Sequence, residues 1–211
     1  MEKRLVYHHN MIGHEIKEPS QIERVDCNLI AKVKNIPFDE EKWIYEQSLD
    51  RKNRYLLGTR GNKSLICCGV NPSYASPEDL DPTMKRVESF AEACGYDSYV
   101  MINLYPMRAT NPQDMHLEVN EEIVKSNLEH IKAVLSGGNC DIWAAWGNNI
   151  SSRKYLKRCL EQIVEIADLH SCKWYMIGDI TKEGNPRHPL YLNKQCDKKK
   201  FGIHEYLEKM Q

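Results

Sequence analysis

The sequence has no excess of charge of either sign. Its 29 basic and 30 acidic residues leave a net charge of −1. The total does not announce a nucleic-acid binder, although a basic face can sit inside a neutral sum. No apolar run approaches the roughly 20 residues that a membrane-spanning helix needs, so no membrane association is expected. No secretory signal is expected, since Met1 to Arg4 is followed closely by Tyr7, His8, His9 and Asn10. A soluble cytoplasmic protein is expected. Internal repeats and low-complexity linkers are absent, as is any separate DNA-binding module. The eight cysteines (Cys27, Cys67, Cys68, Cys94, Cys140, Cys159, Cys172 and Cys196) include no Cys-x-x-Cys pair. Structural metal sites usually rest on such close pairs. Reduced thiols acting as small buried hydrophobes are therefore expected, with no metal and no cofactor.

What is present is a hydrophobic share of 41% over 211 residues, enough for one sizeable domain with elaborations. Residues 1–53 read as an N-terminal extension and residues 54–211 as an α/β domain. Within the extension, His8, His9 and His14 read as surface histidines, and Gln21 to Lys34 gives one or two strands. Phe38 to Glu46 reads as a short helix with Asp39 as its N-cap. Arg54 to Leu57 is an edge strand. Core strands follow at 65–70, 99–102, 141–146 and 173–178. Between them lie three helices. The first opens at Asp81-Pro82 with Met84, Val87, Phe90, Ala91 and Cys94 at helical spacing and Gly95 as C-cap. The second is capped by Asn120, and the third starts at Ser151 or Ser152. A last helix covers Ile203 to Leu207, and Lys198-Lys199-Lys200 reads as solvated surface. Strands alternating with helices imply a three-layer α/β/α sandwich around four parallel strands.

Three polar segments each follow a core strand: Gly69-Val70-Asn71-Pro72-Ser73-Tyr74, Asn103-Leu104-Tyr105-Pro106, and Asn185 to Tyr191. In a parallel sheet such segments gather at the carboxyl edge, where ligands bind. Taken singly, each polar residue has a structural reading. Asn71 satisfies a turn, Asn103 caps a strand end, and His188 is a surface histidine. Asp79 and Asp81 suggest a metal, but Asp81 is better explained as a helix cap. Trp143, Trp146 and Tyr55 read as packing, and Arg86 points either to the site or to solvent.

The pattern of a Gly-x-Asn-Pro-Ser turn, an Asp-Pro-Thr helix start, an Asn-Leu strand end and a Pro-Arg-His-Pro-Leu-Tyr loop resembles a bacterial and phage family, domain of unknown function 1643. That family is in turn similar to the uracil-DNA glycosylase superfamily, whose fold is a four-stranded parallel sandwich. The resemblance implies a water-positioning role for Asn71 in the Gly69–Pro72 turn, base reading by Asn103, and stabilisation of the departing base by His188. Ser73 and Tyr191 would complete the substrate site. Tyr74 or Phe90 would stack on a base, and Arg187 would contact a phosphate. An Asn carbonyl orients water but is no general base, and the strongest glycosylases carry Asp at the first site. The implied activity is hydrolysis of a nucleobase–sugar bond in nucleic acid or in a nucleotide. The alternatives are a binding module without chemistry, and a metal-dependent phosphate-processing enzyme using Asp79, Asp81 and His188. The oligomeric state is not legible.

Overall fold

The computed structural model describes residues 38–193 and 197–210. The readings of His8, His9 and His14, of strands within Gln21 to Lys34, and of Cys27 and Cys196 lie outside the described residues. In chain order the described elements are β1 (Trp43–Gln47), β2 (Arg54–Thr59), β3 (Ser64–Gly69), α1 (Pro82–Ala93), β4 (Ser98–Asn103), α2 (Glu121–Leu135), β5 (Asp141–Ala144), α3 (Tyr155–Leu169), β6 (Lys173–Ile177), β7 (Lys198–Lys200) and α4 (Ile203–Lys209).

One seven-stranded sheet runs in the order β1-β2-β4-β3-β5-β6-β7. Its centre, β4-β3-β5-β6, is parallel throughout. The helices between these strands are the crossovers that parallel pairing requires. Side chains alternate along each strand, so each face collects its own core. Leu65, Cys67, Tyr99, Met101 and Trp143 pack under Met84, Val87, Phe90 and Ala91 of α1. On the other face, Ile66, Cys68, Val100 and Ile102 pack with Val124 and Ile131 of α2 and with Leu156, Leu160 and Ile163 of α3. Asp81 caps α1 as its sequence suggests. Its side chain accepts the Met84 N–H at 2.8 Å, and Pro82 takes the first turn.

The sheet is larger and less uniform than the four parallel strands expected. Three antiparallel strands flank the parallel core. The stretch expected to be a helix from Phe38 to Glu46 is a turn followed by β1. Asp39 does cap it, accepting the Glu41 N–H at 2.9 Å, but Trp43, Ile44 and Tyr45 then pair with β2. Aromatic and β-branched side chains suit that pleated setting. As a result β2 is an interior strand, not an edge. The helix expected from Ser151 or Ser152 begins at Tyr155, and Gly147–Ser152 winds a 3-10 turn instead. Arg153, in extended conformation, and Lys154 separate the two. The Arg153 guanidinium is held by the carbonyls of His116 at 2.9 Å and Met115 at 2.8 Å.

The lysines at 198–200 are not simply a solvated run, because they form β7 against β6. Lys198 Nζ lies 2.8 Å from Asp141 Oδ2 and 3.9 Å from the centre of the Tyr175 ring. Among the described residues, no helix is long and apolar enough to cross a membrane.

Candidate functional site

The ends of β3 and β4 are level, with Gly69 paired to Asn103. The ladder continues past both strands: the Leu104 and Tyr105 N–H groups donate to the Gly69 and Val70 carbonyls, each at 2.9 Å. The Ala109 N–H then donates to the Pro72 carbonyl at 2.9 Å, which zips the loop after β4 onto the turn after β3. Asn71 closes this zipper. Its Nδ2 donates to the Ala109 carbonyl at 2.8 Å and to that of Pro72 at 3.2 Å. With the amide nitrogen tied to backbone, Oδ1 has no donor among the described residues and is left to a ligand or solvent.

A cavity of about 320 Å³ opens here, at the carboxyl edge of the parallel strands. Gly69, Asn71 and Ser73 form one wall. Asp81 and Met84 enter from the start of α1, and Trp146 and His188 close the far side. Burial separates floor from rim. Arg54, Met84, Met101 and Trp146 are each at most 4% exposed, whereas Leu190 is 43% and Tyr191 75% exposed.

His188 sits on a loop with little freedom. Gly147, in left-handed conformation at φ +60°, brings the end of β5 against it, and the Gly147 N–H donates to the Pro186 carbonyl at 3.0 Å. A Cβ on Gly147 would fall 3.1 Å from His188 Cβ, so the close approach needs glycine. Asn185, buried in the same loop, accepts from Tyr206 Oη at 2.6 Å and donates to Asn148 Oδ1 at 3.1 Å. The His188 Nδ1 accepts the Leu190 N–H at 3.4 Å. A neutral ring that accepts at Nδ1 carries its proton on Nε2. Burial pushes the His188 pKa below its ordinary value, and the negative field of Asp81 partly opposes that. The imidazole is thus held neutral, with one N–H donor.

Of the residues expected at the site, the cavity brings together Gly69, Asn71, Ser73, His188 and Tyr191. The others lie elsewhere. Asn103 does not line the cavity, but it lies directly behind it. It shares the α1-facing side of β4 with Met101, and a Cβ on Gly69 would meet Met101 Cε at 2.5 Å and Asn103 Oδ1 at 3.2 Å. Asn103 is fully buried, and among the described residues neither of its amide atoms has a partner. Buried polar groups are rarely left so. Pro72 is buried within the zippered turn, and Tyr74 is 71% exposed outside the cavity. Phe90 packs edge-on against Trp143 in the core, 5.4 Å between ring centres. Arg187 donates to the Asp179 carbonyl at 3.0 Å and lines a neighbouring hollow. Arg86 donates to the Leu192 carbonyl. Asp79 is outside the cavity, and no group of three or more His, Cys, Asp or Glu among the described residues is arranged to hold a metal ion.

Two charged residues of the cavity stand differently from their sequence expectation. Asp81 was seen only as a cap or a metal ligand, yet it caps α1 and lines the cavity. Arg54 was placed on an edge strand, but β2 runs antiparallel to β4, so its first residue arrives where the parallel strands end. Arg54 is 2% exposed. Nη1 donates to the Ala75 carbonyl at 3.2 Å, while Nε has no partner among the described residues. Burial, together with the nearby Arg108 charge, pushes its pKa down to about 10.

Beyond the rim, Asn149, His188 and Tyr191 also line a hollow of about 510 Å³ that adds Arg187 and Lys182. Lys182 and Glu183 in turn border an open groove of about 810 Å³ that carries Arg153, Lys154, Lys157 and Lys209. That groove sets five cations against one acid, a basic face inside a neutral total.

No curated protein and no solved structure matches the chain. Residues 54–190 match a family described as a protein of unknown function, DUF1643. The matched stretch begins at Arg54 and ends at Leu190, so it carries every residue of the cavity wall except Tyr191. The chain belongs to the DUF1643 family.

Proposed function

We propose that this protein hydrolyses a nucleobase–sugar bond, in a nucleotide or in nucleic acid, in the manner of the uracil-DNA glycosylases that its three loop motifs resemble. The observation that carries the reading is the convergence of Asn71 and His188 on one cavity at the carboxyl edge of the sheet. Breaking such a bond builds positive charge on the sugar and negative charge on the leaving base. It calls for a held water on one side and a preorganised donor on the other. Asn71 Oδ1 is oriented to hold the water, since its Nδ2 is locked to the Ala109 carbonyl. The His188 Nε2–H donates to the departing base, a contribution of about 3–4 kcal/mol to the barrier for a donor of this kind. Asp81, in the same cavity, supplies the carboxylate that the Gly69–Pro72 turn lacks. The unpaired amide of Asn103 behind Gly69 suits the edge of a pyrimidine, and Tyr191 at the rim offers a ring for stacking. The basic groove beyond His188 favours a phosphate-bearing substrate.

The test is release of free base from oligonucleotides carrying uracil and other altered bases, and from the matching nucleotides, followed by chromatography. Asn71→Ala and His188→Ala should each lower the rate at least about tenfold with the fold intact. Tight binding with no release, equal in wild type and both variants, would instead identify a binding module that retains the pocket without the chemistry.

A further inference from the structure

We infer that the cavity floor is an oxyanion subsite centred on Arg54, and that the ligand it admits is a small phosphate monoester, a free nucleoside monophosphate and not an internal link of a polymer. The ligand's identity rests on the nucleotide reading above; the subsite itself stands on Arg54. Among the described residues this side chain is the one lysine or arginine on the cavity wall, and it sits at the buried end. A guanidinium has five N–H donors. Among the described residues, the Arg54 guanidinium donates to one acceptor, the Ala75 carbonyl.

Its surroundings add positive charge. Arg108 Nη1 donates to the same Ala75 carbonyl at 3.3 Å and to that of Ser73 at 2.7 Å. Among the described residues neither arginine has a carboxylate within 4.0 Å. Asp81 lies on the cavity wall and its field reaches Arg54, but it forms no ion pair with either arginine. Two like charges gathered around one carbonyl, one of them buried, are costly unless an anion joins them. Planar forked donors match a phosphate or carboxylate oxygen pair.

Shape decides between a monomer and a polymer. The cavity, about 320 Å³, is at the low end of ligand pockets, which span about 300–1,000 Å³. It is enclosed at the Arg54 end and open at Tyr191. A nucleotide flipped out of a strand enters base first and leaves its phosphates at the rim. Such a strand would lie along Lys182, Lys154 and Lys157 without bringing a phosphate to Arg54. A terminal monoester on a free nucleotide can reach the floor.

The experiment uses the full chain with inorganic phosphate, the four ribonucleoside 5′-monophosphates, their nucleosides, and a single-stranded oligonucleotide lacking terminal phosphates. Melting curves and calorimetry read binding. Inorganic phosphate should raise the melting temperature of wild type but not of Arg54→Met. At least one monophosphate should bind about tenfold or more tighter than its nucleoside, and Arg54→Met should erase that gain, while Arg54→Lys keeps part of it. If Arg54→Met does not fold, the wild-type ratio of monophosphate to nucleoside and the lysine variant decide. Equal affinity of wild type for monophosphate and nucleoside, or binding of the oligonucleotide alone, overturns the subsite. Phosphate-dependent binding without base release keeps the subsite and removes the hydrolase reading. Base release from the oligonucleotide with no preference for monophosphates does the reverse.

Discussion

Arg54 and Arg108 share an acceptor. Both Nη1 atoms donate to the Ala75 carbonyl, at 3.2 and 3.3 Å. Arg108 also reaches across to β1, where Nη2 donates to Tyr45 Oη at 2.7 Å and Gln47 Oε1 at 3.3 Å. It therefore ties the Ser73–Ala75 segment to the outermost strand. Arg108→Met should lower the free energy of unfolding by about 1.5–3 kcal/mol, read as a reduced urea midpoint at unchanged slope. Because each single replacement also relieves the repulsion between the two cations, and either arginine alone still satisfies the Ala75 carbonyl, the loss in the Arg54→Met/Arg108→Met double variant should exceed the sum of the two single losses.

Asp81 has two tasks that one pair of variants separates. Asp81→Ala removes the cap on Met84 and should cost about 1 kcal/mol of stability. Asp81→Ser keeps a capping oxygen and should melt close to wild type. Both remove the carboxylate from the cavity, so both should lose base release. Full activity in Asp81→Ser would show that the carboxylate serves the helix alone.

His188 makes stability depend on pH in a stated direction. Its folded pKa lies below the ordinary 6.5, so the unfolded chain takes up a proton first as pH falls. The contribution is fully present above about 6.5 and is lost as pH drops from there toward the folded value. Urea midpoints of wild type should therefore fall more steeply between about pH 6.5 and 5 than those of His188→Gln. Parallel curves for the two proteins would argue against a half-buried, neutral imidazole.

Cys140 and Cys172, just before β5 and β6, are set apart from the other described thiols, since their sulfurs lie 2.6 Å apart. Burial and the neighbouring thiol raise the pKa of Cys140, which slows thiolate chemistry at neutral pH. Treatment with oxidised glutathione should link these two cysteines, faster at alkaline pH. Peptide mapping should find the joined fragment lighter by about two hydrogens, and Cys140→Ser should abolish it. Linkage of any other pair among the described cysteines in the folded protein would contradict this geometry.

The parts of the fold that were legible are those where local signals and packing agree. Asp81-Pro82 starts α1, Gly95 ends it at φ +77°, and β3, β4, β5 and β6 follow the apolar runs. The convergence of Asn71 and His188 followed from parallel strand order alone. The failures share a cause: backbone pairing with a distant partner. Trp43 to Tyr45 carries no local mark that separates strand from helix until β2 is beside it. Lys198 to Lys200 has no apolar residue and forms a strand because β6 offers a free edge. The direction of β2 has no signature in its own residues, so Arg54 could not be placed at the ligand edge. Asn103 illustrates a finer limit. Its strand and level were readable, but whether its amide faced open space or lay behind Gly69 depended on side-chain volume at Met101.

The contact between Gly147 and His188 has a thermodynamic consequence. Because the main chain of one loop rests against the backbone and Cβ of the other, the stem of the imidazole is already in place when a ligand arrives. Little backbone entropy is then surrendered on binding at that wall. The adaptable part of the cleft is the rim, where Leu190 and Tyr191 stand in solvent, so discrimination among related ligands is expected to be tuned there, by exchange of surface side chains that leaves the reacting groups where they are.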